Sequence, residues 1–504
     1  MMDTQRKNVF TILAVGMIVL GAAVRLFDLT DEPLEAHPTR QFRSAIIARA
    51  MYYENASEIS KEQNAFAQRE RDKVGLIEPS ILEWLTAQAY RLVGGEKIWL
   101  GRIFTITFWL IGGFGVYQLA KEIGSPTGAL LSLSYYLFLP FGVRLSRTLM
   151  PDPIMIALSV LAIWALHSWQ TRRDGPQSGR WAVAAGLLAG AAILVKTVAG
   201  IILLLPFALY ILSSIPFKKA LKNKHLWLIL TLAALPTAAC YIWGVYIDGR
   251  LAAQFGGRFF PNLWTELVVY KSWGLRIILE FSLKAFLVGL AGIVLARRNN
   301  DRLLLFGWWA GYFIYGMLFI YYTWTHDYYH LPMVPLIAVS LSPTAAALED
   351  NTKKNGKILR WVRIMLGVAV AYITISGAVQ SVQFMQAVDY RQTRHQIEAL
   401  DVFLETIPDE RLIALTDDYE TSYRFYTFRR AGHWPASGEQ TFKQLQGKPT
   451  NEFEQLWQER TADAGYFLVL DFKELNRQSN LAERLETYPI LKQTELYTLY
   501  DLTP

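Results

Sequence analysis

Apolar and polar positions fall into long blocks along this chain, not into the short alternation of half-buried elements. Near-uniform apolar runs occur at about 8–27, 98–119, 127–143, 153–169, 181–195, 198–215, 226–246, 275–296, 303–322, 331–347 and 364–381. Most approach the ~20 residues that a helix needs to cross about 30 Å of hydrocarbon. The pattern predicts a polytopic α-helical membrane protein of about eleven spans. The stretch 181–215 is too long for one span and carries only Lys196 in its middle, so it reads as two short helices folded back at "VKTVAG".

Two long polar pieces interrupt this pattern. Segment 28–97 predicts helices near 40–54 and 80–93. In the first, Phe42, Ile46, Arg49 and Tyr53 share a face suited to a membrane interface, with Thr39 as N-cap. Segment 382–504 predicts a small α/β domain. Its strands are "RLIALTD" (411–417), "GYFLVLD" (465–471) and "ELYTLYDL" (495–502), and its helices lie at 390–406 and 474–487. Asp417 and Asp471, each at a strand end, read as turn or cap residues. The division expected is therefore 1–381, a transmembrane catalytic domain with loop 28–97, and 382–504, an external domain.

Charge gives the orientation. Basic residues collect in alternate connections: Arg6–Lys7, Lys121, "TRRDGPQSGR", "FKKALKNKH", "ARRNNDR" and "TKKNGKILRWVR". The positive-inside rule puts these in the cytoplasm, and loop 28–97 and the tail outside a cell membrane. Loop 28–97 is long enough for its own arginines to escape that rule. Composition agrees with the class: 52% of 504 residues are hydrophobic and only 18% charged, against about 25% in soluble domains. The net charge of +7 comes from these loop clusters, so it does not indicate a nucleic-acid partner. A lone Cys240 excludes any disulfide within the chain.

With this topology the unusual polar residues share the outer side. Loop one supplies Asp28, Asp31, Glu32, Glu35, His37, Arg40 and Arg43; "GLIEPSILEWL" supplies Glu78. "RLSRTLMPDP" supplies Arg144, Arg147 and Asp152; Lys196 tops the helical hairpin; "TWTHDYYHLP" supplies His326, Asp327, Tyr328, Tyr329 and His330. Singly, such residues are ordinary snorkelling cations, interfacial aromatics and helix caps. Gathered on one side, cations suit a phosphate whose lipid tail stays in the bilayer, and a carboxylate can take a proton from an attacking hydroxyl. Neither a phosphate-binding P-loop nor a dinucleotide fingerprint competes.

The run "LIEPSILEWLTAQAYRLVG…LGRIFTITFWLIGG…GVRLSRTLMPDPIMIALSVLAIWAL", then "AAGLLAGAAILVKTVAG" and "HDYYHLPMVPL", resembles bacterial GT-C membrane glycosyltransferases over about residues 8–345. These are relatives of the protein O-mannosyltransferases (glycosyltransferase family 39) and the lipid A aminoarabinose transferases. The resemblance implies a polyprenyl-phosphate monosaccharide donor, an inverting displacement, and an acceptor glycan, lipid or protein. It implies a loop-one carboxylate as base. Many relatives carry an Asp-Glu pair late in this loop, where this chain reads "PLEAHPTRQ". Glu35 is the expected base, with Asp31, Glu32 and His37 as alternatives. Asp152 and Glu78 match the family's other acidic positions. Arg147 and Lys196 would hold phosphate, with Arg40 and Arg43 as partners, and His37, His326, Asp327 and Tyr328 would line the substrate. No cofactor is required, although Glu78 with His326 is a candidate pair for a divalent metal. Other classes weighed are a lipid-sugar flippase, a scaffold that binds cell-wall components, and a ligase or polymerase using a lipid diphosphate donor.

Overall fold

The computed structural model describes residues 2–252 and 258–503, with side chains from residue 8, so the side chains of Arg6 and Lys7 lie outside the described residues. The chain divides into two compact units. One comprises Met1–Leu29, Gly75–Leu85 and Trp99–Ala387; the other comprises Thr30–Val74, Thr86–Ile98 and Val388–Pro504. This division differs from the expected boundary near 381, because most of loop one folds with the C-terminal segment.

The first unit is helical. Among the described residues, seven helical runs are long and apolar enough to span a membrane, and nine if two bent pairs each count as one. The expected spans near 198–215 and 303–322 form the helices Ala199–Ser214 and Asn299–Leu318, which pack along one another without meeting that criterion. Asp152–Thr171 and Met333–Thr352 are largely enclosed. Lys224–Ile242 exposes Trp227, Leu230 and Leu235, as a lipid-facing helix does.

Proline sets one of the bends. Pro126–Phe138 starts from the Ser125 cap, whose Oγ accepts from Gly128 N at 3.1 Å. It ends at Leu139, whose extended backbone is what the following Pro140 demands, and the next helix, Pro140–Ser146, leaves at 57°. The helices approach closely where a side chain is missing: a Cβ on Gly377 would collide with the Phe138 carbonyl.

The second unit is built on a five-stranded sheet: β1 (Leu412–Leu415), β2 (Gly432–His433), β3 (Tyr466–Val469), β4 (Ile490–Gln493) and β5 (Thr498–Asp501). Their order is β2-β1-β3-β5-β4, with β2, β1 and β3 parallel and β5 antiparallel to both its neighbours. The three strands read from the sequence are β1, β3 and β5. Alternation sends Leu412 and Ala414 to one face, with Ile397, Leu400 and Leu499. Ile413 and Leu415 go to the other, with Trp434, Trp457 and Phe467. Both faces of β1 are therefore buried, as parallel strands require. Asp471 caps the helix Phe472–Arg477, its Oδ1 accepting from Glu474 N at 2.9 Å.

Loop one corrects two expectations. Its helix runs Pro38–Tyr53 with His37, not Thr39, as N-cap, because Pro38 supplies the first helical residue. Its Phe42–Ile46–Arg49–Tyr53 face is buried in protein, not laid on lipid. Phe42 sits 5.4 Å from the rings of Phe425 and Tyr426. Arg49 pairs with Glu96 at 2.9 Å and lies 3.4 Å over the Phe425 ring.

Candidate active site

The first unit concentrates its buried charge at helix ends. The helix Asp152–Thr171 opens on Asp152 between two prolines, where the helix dipole favours a carboxylate. Lys196 ends the helix Ser178–Val195 in extended backbone, and a new helix begins at Ala199. This break is the fold-back expected at "VKTVAG". It directs the Lys196 ammonium 2.8 Å from Asp152 Oδ1, with both side chains less than 10% exposed. Asp152 Oδ2, also buried, has no hydrogen-bond partner among the described residues. Lys196 further lies 5.1 Å and 5.4 Å from the ring centres of Tyr328 and Tyr329, which add cation–π attraction.

Lys196 opens into a cavity of about 400 Å³. Its polar lining is Glu78, Thr197, Tyr241, Arg258 and Tyr329; Ile77, Val198, Ile201 and Phe319 supply apolar wall. A cation pair beside apolar wall is the lining a lipid-borne phosphate needs.

Other expected site residues in this unit have structural partners. Arg147, 2% exposed, donates to the Asp28 carbonyl at 2.8 Å. Asp327 is neutralised by Arg144 at 2.8 Å and Arg276 at 3.8 Å. His326 Nδ1 is 2.7 Å from Thr325 Oγ1, and His326 does not line the cavity. His330 uses both ring nitrogens, on Tyr312 and the Thr323 carbonyl, so it cannot join His326 on a metal. Among the described residues no three His, Cys, Asp or Glu side chains are arranged to hold a metal ion. The Glu78–His326 pair thus lacks the further protein ligands a tight site would need.

In the second unit, the loop-one acids separate by partner. Glu32 has both oxygens engaged, Oε1 with Arg394 at 3.0 Å and Oε2 with the Tyr426 hydroxyl at 2.7 Å. Asp31 is buried, 3.8 Å from Arg391. Glu35 and His37 stand half-buried just before the helix that carries Arg40 and Arg43 in its first turns. His37 holds a left-handed backbone, φ 47°, and Gln41 pins the turn through the Pro33 and Ala36 carbonyls.

Residues 78–243 match the family of dolichyl-phosphate-mannose-protein mannosyltransferases. ArnT from Cupriavidus metallidurans in the apo state superimposes with a TM-score of 0.55 at 14% identity, covering 99% of this chain and 98% of that one. The same protein bound to undecaprenyl phosphate gives 0.56 at 12% identity, with the same coverage. This chain has the GT-C glycosyltransferase fold. The Archaeoglobus fulgidus oligosaccharyltransferase, in complex with zinc and sulfate, gives 0.55 at 12% identity over 91% of this chain and 67% of that one. No curated protein matches by sequence.

Within the GT-C fold of this chain, sequence reading missed Arg258 and Tyr241. Tyr241 reads as one more aromatic of an apolar span. Arg258 stands in "FGGRFFP", a connection the topology already placed with the outer loops, and the logic applied to Arg147 would have selected it.

Proposed function

We propose that this multi-pass membrane protein transfers a monosaccharide from a polyprenyl-phosphate donor to an acceptor hydroxyl on the external face of the cell membrane, with inversion. The observation that carries this reading is the buried Lys196–Asp152 pair at a cavity shared with Arg258 and lined by apolar wall. In the reaction the acceptor oxygen bonds to the anomeric carbon as the bond from that carbon to the phosphate oxygen breaks. The acceptor proton passes to a carboxylate, for which Glu35 is the candidate. The leaving lipid phosphate gains charge, which Lys196 and Arg258 stabilise in a low-dielectric setting. Asp152 keeps the ammonium in place, and its second oxygen remains open to a donor hydroxyl. Arg40, Arg43 and Arg147 are secondary candidates for phosphate. No metal is assigned a step.

The residues support a donor with one phosphate, since a compact ammonium and one guanidinium match the lipid phosphate monoester that leaves. The likeness to an ArnT bound to undecaprenyl phosphate agrees in ligand class. The test is ligand-induced stabilisation of the purified protein in detergent. Undecaprenyl phosphate at 100 times its Kd should add about 2.7 kcal/mol to the native state and raise Tm. Lys196→Ala should abolish the rise. An equal rise in wild type and Lys196→Ala would remove this cavity as the phosphate site.

A further inference from the structure

The second unit holds a cavity of about 760 Å³ that the transfer reaction does not use. Two of its lining cations, Arg411 and Arg429, pair with Asp463 and Asp401. Besides Glu70, the remaining charged lining residues are Arg69, Lys73, Arg430, Asp409 and Glu410. Among the described residues, none of these five side chains makes a hydrogen bond or an ion pair within 4 Å, so the cations and carboxylates among them do not neutralise each other. Arg69 and Lys73 lie four residues apart on the helix Lys61–Val74, where like charges repel. Glu70 between them is spent on Arg424, at 2.6 Å with both side chains buried. The Lys73 ammonium is held below its usual range, by partial burial first and then by Arg424, with Glu70 and Glu420 opposing and Arg430 adding to the shift.

We propose that this cavity binds a phosphorylated saccharide. Three lining cations without an ion-pair partner among the described residues match a phosphate monoester, which carries nearly two charges and three acceptor oxygens. Asp409 and Glu410 can then accept from the hydroxyls of the sugar. The volume holds a mono- or disaccharide. The inference is independent of the transferase reading, because the site lies wholly in the second unit and its test measures binding.

The experiment is calorimetric titration of the full-length protein in detergent with glucose 6-phosphate, inorganic phosphate and glucose. A parallel arm uses flotation with vesicles of phosphatidylglycerol or phosphatidylcholine. Saturable glucose 6-phosphate binding is expected, at least fivefold tighter than inorganic phosphate, with glucose silent. Arg69→Gln/Arg430→Gln should weaken it at least tenfold, and Arg69→Lys/Arg430→Lys should restore most of it. Absence of glucose 6-phosphate binding overturns the proposal, as does equal binding by the Gln variant. Phosphate binding as tight as glucose 6-phosphate overturns the saccharide assignment. Flotation with phosphatidylglycerol that the Gln variant loses, without sugar phosphate binding, assigns these cations to a lipid headgroup instead.

Discussion

Lys196 and Asp152 show what a single buried ion pair demands. Removing one partner leaves the other charge buried and alone, at a cost of about 3–5 kcal/mol, so in a turnover assay Lys196→Ala mixes lost stability with lost chemistry, which a ligand-induced shift within one variant does not. Replacing both, as Lys196→Met/Asp152→Leu, removes the uncompensated charge. That double variant should melt within a few degrees of wild type while transfer falls at least a hundredfold, the scale for losing an electrostatic stabiliser. Calorimetry and a turnover assay on the same preparation check both halves. The loop-one acids divide in the same way. Glu32 is a structural ligand of Arg394 and Tyr426, so Glu32→Gln should destabilise the fold by roughly 1 kcal/mol and leave turnover within a few fold. Glu35→Gln should cut kcat. If Glu35→Gln turns over at the wild-type rate, Glu35 is not the base.

At the scale of elements, β2 and its flanks carry a pH-sensitive joint. His433 Nδ1 meets Glu420 Oε1 at 2.7 Å and Nε2 meets Glu439 Oε1 at 2.8 Å. Burial alone would lower this imidazole, but the two carboxylates overcome it and raise its pKa to about 9. Glu420 is itself pushed up by burial, so desolvation offsets part of the attraction. A folded pKa above the unfolded value of about 6.5 means the stabilisation is complete below pH 6.5 and lost as pH rises through 9. The second unit should lose on the order of 1–2 kcal/mol across that window. Thermal melts of wild type should fall between about pH 6.5 and 9.5, whereas His433→Gln should be flat and lower at the acid end. This element was invisible in the sequence: two residues of strand carry no alternation, and β4, with its exposed Ile490, reads as loop. β1 and β3 were legible because both faces are buried and the apolar run is continuous. The fold-back at Lys196 was legible too, since apolar length alone required a break. Partner choice was not: nothing in "QFRSAIIARAMYY" says that Arg49 goes to Glu96 and Phe425 instead of to a lipid surface.

For the whole molecule, hydropathy gave the membrane class and most helices, because the bilayer length rule acts on local composition. It could not show that loop one folds with the C-terminal segment, since contacts such as Arg424 with Glu70 join residues 354 positions apart. The candidate site was legible as residue types and scattered in detail: Lys196 meets Asp152 and shares its cavity with Glu78, Asp327 is bound by Arg144 and Arg276, and Arg258 was overlooked. The central claim is the donor. Purified protein should be given radiolabelled sugar on undecaprenyl monophosphate or on undecaprenyl diphosphate, with a membrane-extract acceptor pool. Labelled acceptor should form from the monophosphate donor at least tenfold faster than from the diphosphate, and Lys196→Met/Asp152→Leu should form it at least a hundredfold more slowly than wild type. Transfer from the diphosphate alone, or from neither donor, would contradict the account.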